Sequence, residues 1–394
     1  MKKILSLLFV LIFLFSVKGF AENEPFVSAP EELLTVDCAA AVTVSARAYA
    51  LMDVNTGTLL AAGNEHERLY PASVTKIMSL ILFCEAIEQG KYTLNEKIIC
   101  SESASAKGGS QIWLEPGEEM SVNDLLKAVV VASANDACTL LAEKTSGSED
   151  AFVKMMNEKA RALGMDDTYF DNCSGLDDKT SEHLSSAYDI AIMSRELLGH
   201  KIIRDYTAIW TDELRNGATQ LVNTNRLIRY YPGATGLKTG TTSKAGCCIS
   251  ASAERDGMEL IAVIMGASGS SDRFNSAKEL LDFGFANYEI LRPEPDRSLL
   301  EPVPVVHGTA KEVVPVCLSA ADILVNKGVA DCVTQTVNLP EYIEAPVEKG
   351  AAIGTLTFSA KGSVLAEYDI TAENNVEKMN FRNAWLTILG SFAA

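Results

Sequence analysis

Histidine is scarce in this chain. There are four in 394 residues, His66, His183, His200 and His307, and none sits in a zinc-ligand spacing. The nine cysteines (Cys38, Cys84, Cys100, Cys138, Cys173, Cys247, Cys248, Cys317 and Cys332) include no C-x-x-C pair and outline no disulfide framework. They read as small buried hydrophobes. No metal and no cofactor are expected. Positive charge is in deficit too: 34 Lys and Arg against 52 Asp and Glu give a formal net charge of -18 and a pI near 4.7. So acidic a chain is repelled by phosphate backbones, which argues against nucleic acid as a partner. The sequence also lacks an apolar run of the roughly 18 to 20 residues that a spanning helix needs.

What is present is a large apolar fraction, 47% of residues, enough for one large or two ordinary cores. The apolar run Ile4–Val17 follows Lys2 and Lys3 and precedes Gly19-Phe20-Ala21. That is the layout of a secretory signal peptide over residues 1–21, cleaved after Ala21, and it puts the protein outside the cytoplasm. Residues 22–41, with Pro25 and Pro30, read as a tether.

Two apolar runs around Asn55-Thr56-Gly57 predict a hairpin. Pro71 opens a helix with Val74, Ile77, Met78, Ile81 and Leu82 on one face, and Gly90 closes it. Ser121 and Asp124 resemble a capping box at the start of a second helix. That helix breaks at "ASAND". Further helices run to Gly147, from Ser148 to Leu163-Gly164, and along "SSAYDIAIMSRELLG". "AGCCISASA" and "MELIAVIMG", joined by Glu254-Arg255-Asp256-Gly257, predict a second hairpin, followed by a helix from about Asp272. Strands at both ends with helices between them imply an α/β (α+β) domain at 42–291, its sheet completed by distant segments. The Pro-rich "RPEPDRSLLEPVPVV" marks a boundary. Short β-like runs then predict a small all-β domain at 292–372. In residues 373–394, Phe381, Trp385, Ile388 and Phe392 recur at helical spacing. This is an amphipathic helix for a membrane surface or for packing on the β domain.

Three short motifs could carry chemistry. Ser73 precedes Lys76 by three residues in the one S-x-x-K of the chain. On a helix the two share a face, so the lysine can take the serine proton if burial keeps it neutral. Ser133-Ala134-Asn135 lies at the helix break. There Ser133 could relay a proton and Asn135 could hold a substrate amide. Lys238-Thr239-Gly240 precedes the second hairpin, on a strand expected at a sheet edge. It offers a charge, a hydroxyl and a backbone open to close approach. Each motif alone is weak, but in this order they form a specific signal.

On these residues the chain resembles the low-molecular-mass penicillin-binding proteins, the serine-type D-alanyl-D-alanine carboxypeptidases. "GGSQIWLEPGE", "NEKARALGMDDTYFDNCSGLDD" and "GLKTGTTSKAGCC" look like blocks of that family too. The resemblance implies a β-lactamase/transpeptidase-like domain: an antiparallel sheet flanked by helices with a helical subdomain, then a small all-β domain. It implies catalytic roles for Ser73, Lys76, Ser133 and Lys238, and substrate binding by Asn135, Thr239, Gly240, Thr241 and Arg273. Ser73 would attack the bond between two D-alanines of a peptidoglycan stem peptide, and β-lactams would acylate it. Backbone N–H groups of Ser73 and Thr241 would hold the oxyanion, with Thr239 and Arg273 on the terminal carboxylate. Membrane contact through the C-terminal helix also fits the architecture. One departure is Cys173-Ser174, where the family often has Pro-His. The alternatives are a class A-like β-lactamase and an inert wall-binding scaffold. No glutamate lies between Glu158 and Glu182 to speed deacylation, and the intact trio argues against an inert protein.

Overall fold

The computed structural model describes residues 27–28, 42–177, 182–317 and 321–385. The expected signal peptide and most of the expected tether lie outside these residues.

The central element is a five-stranded antiparallel sheet. Its strands are β1 (Ala48–Asp53), β2 (Leu59–Gly63), β3 (Ala234–Thr242), β4 (Gly246–Arg255) and β5 (Met258–Ala267). Their order is β2-β1-β5-β4-β3, so distant segments complete one sheet and β3 is an edge. Side chains alternate across the pleat. On β5, Ile261, Val263 and Met265 enter one core while Leu260, Ala262 and Ile264 enter another. Both faces are covered, which is why "MELIAVIMG" has no polar alternation.

Helices α1 (Lys76–Glu88), α2 (Val122–Val131), α3 (Asn135–Ser146), α4 (Glu149–Ala162) and α5 (Ala187–Gly199) build the first core. Their starts follow the sequence: Ser121, Ser148 and Ser186 each accept a hydrogen bond from the backbone N–H three residues on. Helix α6 (Ser270–Asn287) covers the other face. Its approach is close, since a Cβ on Gly284 would lie 2.4 Å from Leu260 Cδ1.

Strand Tyr288–Leu291 pairs with Ile323–Asn326, which pairs in parallel with Val27–Ser28 of the expected tether. A backbone ladder therefore crosses the Pro-rich stretch. Beyond it, Val333–Asn338, Ala352–Ala360 and Ser363–Ala372 form most of a four-stranded sheet over a separate core. Residues 381–385 are helical, with Phe381 and Trp385 exposed. The remainder of the expected terminal helix lies outside the described residues.

Candidate active site

Pro71 precedes a 3-10 turn, Ala72–Thr75, that leads directly into α1. Ala72 is forced to φ 48°, a left-handed conformation costly for a residue with a Cβ. The cause is visible on both sides. A Cβ on Gly175 would lie 1.9 Å from the Ala72 carbonyl oxygen, and one on Gly240 would lie 2.9 Å from Ala72 Cβ. The turn is thus clamped between a loop and the edge strand, and it holds Ser73 half-buried at the mouth.

Lys76 is wholly buried one turn further. Its Nζ lies 3.0 Å from Ser73 Oγ, 2.6 Å from Asn135 Oδ1 and 2.7 Å from the Ser174 carbonyl oxygen. An ammonium would donate to all three. A neutral amine has two donors and one lone pair. Asn135 Oδ1 and the Ser174 carbonyl can only accept, so the lone pair is left facing the Ser73 hydroxyl. Burial pushes the Lys76 ammonium down to about 8, from an ordinary lysine value of 10.5. At pH 7 roughly one molecule in ten then carries the free amine, against fewer than about one in a thousand for an exposed lysine.

Asn135 starts α3, and its side chain is used at both ends: Nδ2 donates to the Gly108 carbonyl at 2.7 Å. Ser133, in the break before it, is left-handed at φ 62°. Its Oγ is buried without a partner among the described residues. Lys238 is buried on β3, and burial, then the charges of Lys76 and Arg273, hold its ammonium well below the usual lysine range. Its Nζ donates to the Thr239 carbonyl at 3.2 Å. Ser73 and Asn135 are joined directly through Lys76; Ser133 and Lys238 each keep hydrogen-bonding capacity unspent, and Lys238 is close enough to feel the charge of Lys76.

Along the edge strand, Thr239 Oγ1 donates to Thr224 Oγ1 at 2.7 Å. A Cβ on Gly240 would meet the Ser73 nitrogen and the Pro71 oxygen at 2.8 Å each. Arg273 on α6 donates to the Gly240 carbonyl at 3.1 Å, Thr241 Oγ1 at 3.0 Å and the Cys248 carbonyl at 3.3 Å. It is almost fully buried, and its Nε has no partner among the described residues.

Two residues escape the sequence reading. His183 is fully buried; Asp171 N–H donates to its Nδ1 at 3.0 Å. That fixes the proton on Nε2, which donates to Thr75 Oγ1 at 2.7 Å. Burial, then the charge of Lys76, pushes this imidazole down to about 4. His183 therefore ties the 171–177 loop to the nucleophile turn as a neutral ring. Arg226 is the second. It is exposed; burial holds the Arg273 guanidinium below the usual arginine range, and the charge of Arg226 adds a smaller push in the same direction. Neither has a local sequence signal, because each is defined by what lies across the fold.

The Cys173-Ser174 departure has a simple resolution. Lys76 meets a backbone carbonyl at position 174, and Asn172 Oδ1 shapes that loop by accepting from Gly175 N at 2.7 Å and Ser174 N at 3.1 Å. Side-chain identity at 174 is not what the lysine reads. Among the described residues eight cysteines are free thiols, five of them buried. Away from the site Glu85, Glu196 and His200 converge, and Lys159 bridges the two carboxylates at 2.8 and 2.6 Å.

A serine with a buried amine base, an edge strand and a guanidinium beyond it defines an acyl-transfer site of the serine peptidase type. The family model described as D-alanyl-D-alanine carboxypeptidase matches residues 35–269, and that of the penicillin-binding protein 5 C-terminal domain matches 296–378. The D-alanyl-D-alanine carboxypeptidase DacF of Bacillus subtilis is 42% identical over 340 residues, covering 85% of this chain and 87% of that one. The crystal structure of penicillin-binding protein 5 from Haemophilus influenzae superposes with a TM-score of 0.72 at 31% identity, covering 85% of this chain and 98% of that one. The ampicillin-bound penicillin-binding protein D2 of Listeria monocytogenes gives 0.57 at 31% identity, covering 61% and 98%. The chain belongs to the D-alanyl-D-alanine carboxypeptidase family and is a low-molecular-mass penicillin-binding protein, a serine-type cell-wall hydrolase.

Proposed function

We propose that Ser73 is the nucleophile that cleaves the terminal D-Ala-D-Ala bond of peptidoglycan stem peptides, with Lys76 as its base. The observation that carries this is the Lys76 amine: two acceptors hold its hydrogens, and its lone pair faces Ser73 Oγ at 3.0 Å. As Oγ attacks the carbonyl carbon, Lys76 takes its proton. The oxyanion forms between the backbone N–H groups of Ser73 and Thr241, which the Gly240 contact holds close together. Ser133, its Oγ unpaired and buried, passes a proton with Lys238 to the leaving D-alanine nitrogen. Thr239 and Arg273 hold the terminal carboxylate, and Asn135 orients the acyl-side amide. Water then releases the acyl-enzyme.

β-Lactams present a strained amide to the same hydroxyl and form a stable adduct. The ampicillin-bound relative supports this reading. The protein acts in the cell envelope, exported by residues 1–21 and held to the outer face of the cytoplasmic membrane by its C-terminal helix. No helix among the described residues is long and apolar enough to cross a membrane. Phe381 and Trp385, 87% and 56% exposed, suit a helix lying in the interface.

The test is D-alanine release from a peptide ending in D-Ala-D-Ala, together with labelling by a fluorescent penicillin. Wild-type protein should do both and Ser73→Ala neither. An adduct that survives Ser73→Ala would refute the assignment.

A further inference from the structure

Trp113 is 76% exposed, the most exposed large apolar side chain among the described residues of the catalytic unit. A lone exposed indole on a slack loop would mean little. This loop is held from both sides. The Asp136 carboxylate accepts from Ile112 N at 3.2 Å and Leu114 N at 3.0 Å. Arg215 donates to the carbonyls of Ile112 at 3.0 Å and Trp113 at 3.4 Å, and to Glu118 through two nitrogens at 2.7 and 3.0 Å. Trp113, Arg215 and Asn216 all sit at φ between 53° and 59°, conformations that cost free energy and persist only where the surroundings impose them. A large apolar ring is thus carried in water on a backbone held from both sides.

The ring forms one wall of a groove of about 660 Å³, with Glu115, Arg215, Thr219 and Gln220 among the other lining residues. An aromatic face beside a carboxylate, a hydroxyl and a carboxamide is the chemistry that recognises a sugar. The ring stacks on the apolar face of a pyranose, and the polar groups meet its hydroxyl and acetamido substituents. The same loop reaches the catalytic cleft. Asn135 Nδ2 donates to the Gly108 carbonyl and Asn135 N to the Ser110 carbonyl, both at 2.7 Å. From Ser110 to Trp113 the chain spans at most about 11 Å, within the roughly 15 Å that a stem peptide of four or five residues covers when extended.

We propose that this groove binds the glycan strand carrying the stem peptide, an N-acetylated amino-sugar polymer, while Asn135 engages the peptide's far end. The proposal rests on the carboxypeptidase reading above.

The test compares D-alanine release from a free pentapeptide ending in D-Ala-D-Ala with release from the same peptide linked to its disaccharide. Trp113→Ala should raise KM about tenfold for the glycan-linked substrate, leave its kcat unchanged, and leave the free peptide unaffected. Trp113→Phe should recover most of the loss. Gln220→Ala, at another lining residue of the groove, should shift KM in the same direction and decides the matter if Trp113→Ala does not fold. Equal loss on both substrates, or loss on neither, overturns the proposal. The groove is also read without turnover, by titrating Ser73→Ala protein carrying Trp210→Phe and Trp385→Phe with the peptide-free disaccharide. Saturable quenching of Trp113 fluorescence supports the site and a flat response refutes it. Saturable binding by an enzyme that releases no D-alanine from either substrate would sink the carboxypeptidase reading and leave the groove standing.

Discussion

A Cβ placed on Gly240 would stand 2.8 Å from the backbone nitrogen of Ser73. The edge strand and the nucleophile turn meet across a gap that admits a hydrogen atom and nothing larger. Real Cβ atoms do not approach backbone atoms so closely, so any larger residue must push the turn away. We expect Gly240→Ala to lower kcat/KM at least about 100-fold by displacing the oxyanion donors. The overpacking should cost about 1 to 3 kcal/mol of stability. Penicillin acylation rates and calorimetry check both. Wild-type acylation in a folded variant would mean that the turn yields without consequence.

The Lys76 amine sets a pH dependence. As the proposed base, Lys76 would accept the Ser73 proton only in its neutral form, and burial pushes its pKa down to about 8. The rate of adduct formation should rise with pH up to about 8 and level off above it. Arginine cannot lose its proton in this range. Lys76→Arg should therefore lose the rising limb and about a thousandfold in rate. Stopped-flow acylation across pH 6 to 10 reads both. A flat wild-type profile would exclude Lys76 as the base.

His183 makes the fold sensitive to acid. Its pKa falls from 6.5 in the unfolded chain to about 4 when folded, chiefly through burial. Between these values the unfolded state binds a proton that the folded state refuses. The stabilising difference is complete above pH 6.5 and is lost as pH falls toward 4, a change of about 3 kcal/mol. His183→Gln keeps one donor and one acceptor without a titrating group. Urea melts at pH 7.5 and 4.5 should show a smaller drop for the variant; identical drops would clear His183 of the effect.

Arg273 should act on the substrate's terminal carboxylate. Arg273→Ala is expected to reduce kcat/KM about 100-fold on a peptide acid, since a buried charge pair loses one partner. A peptide with an amidated C-terminus should be a poor substrate for wild type and lose little more in the variant. If acid and amide suffer equally, Arg273 supports the strand and does not read the carboxylate.

The parts legible in the sequence are those with local causes. Cap serines at 121, 148 and 186, the glycine-bearing hairpins, and the three-residue step from Ser73 to Lys76 all have signals within a few residues. The run "MELIAVIMG" was readable as a strand because its length is right and a turn precedes it. His183, Arg226 and the left-handed Ala72 have no such signal. Each owes its role to a partner more than 30 residues away: Thr75 for His183, Arg273 for Arg226, Gly175 and Gly240 for Ala72. Strand Ile323–Asn326 was hidden for the same reason, since both its neighbours come from the other side of the Pro-rich stretch. The chemistry was readable because motif order encodes it. The clamp that holds the Ser73 turn is tertiary.

That strand has a practical side. Among the described residues Tyr288–Leu291 finds its ladder partner only in Ile323–Asn326. A recombinant fragment ending at residue 291 would carry every proposed catalytic group, yet would trail a strand with its hydrogen-bonding edge uncovered. Bare edges recruit other bare edges, and such fragments self-associate. Ending the fragment at Tyr288, whose ring is buried in the core beneath α6, removes most of the sticky edge and keeps every proposed catalytic group. The choice of cut, a matter of three residues, should decide whether the isolated enzyme stays a monomer on the bench.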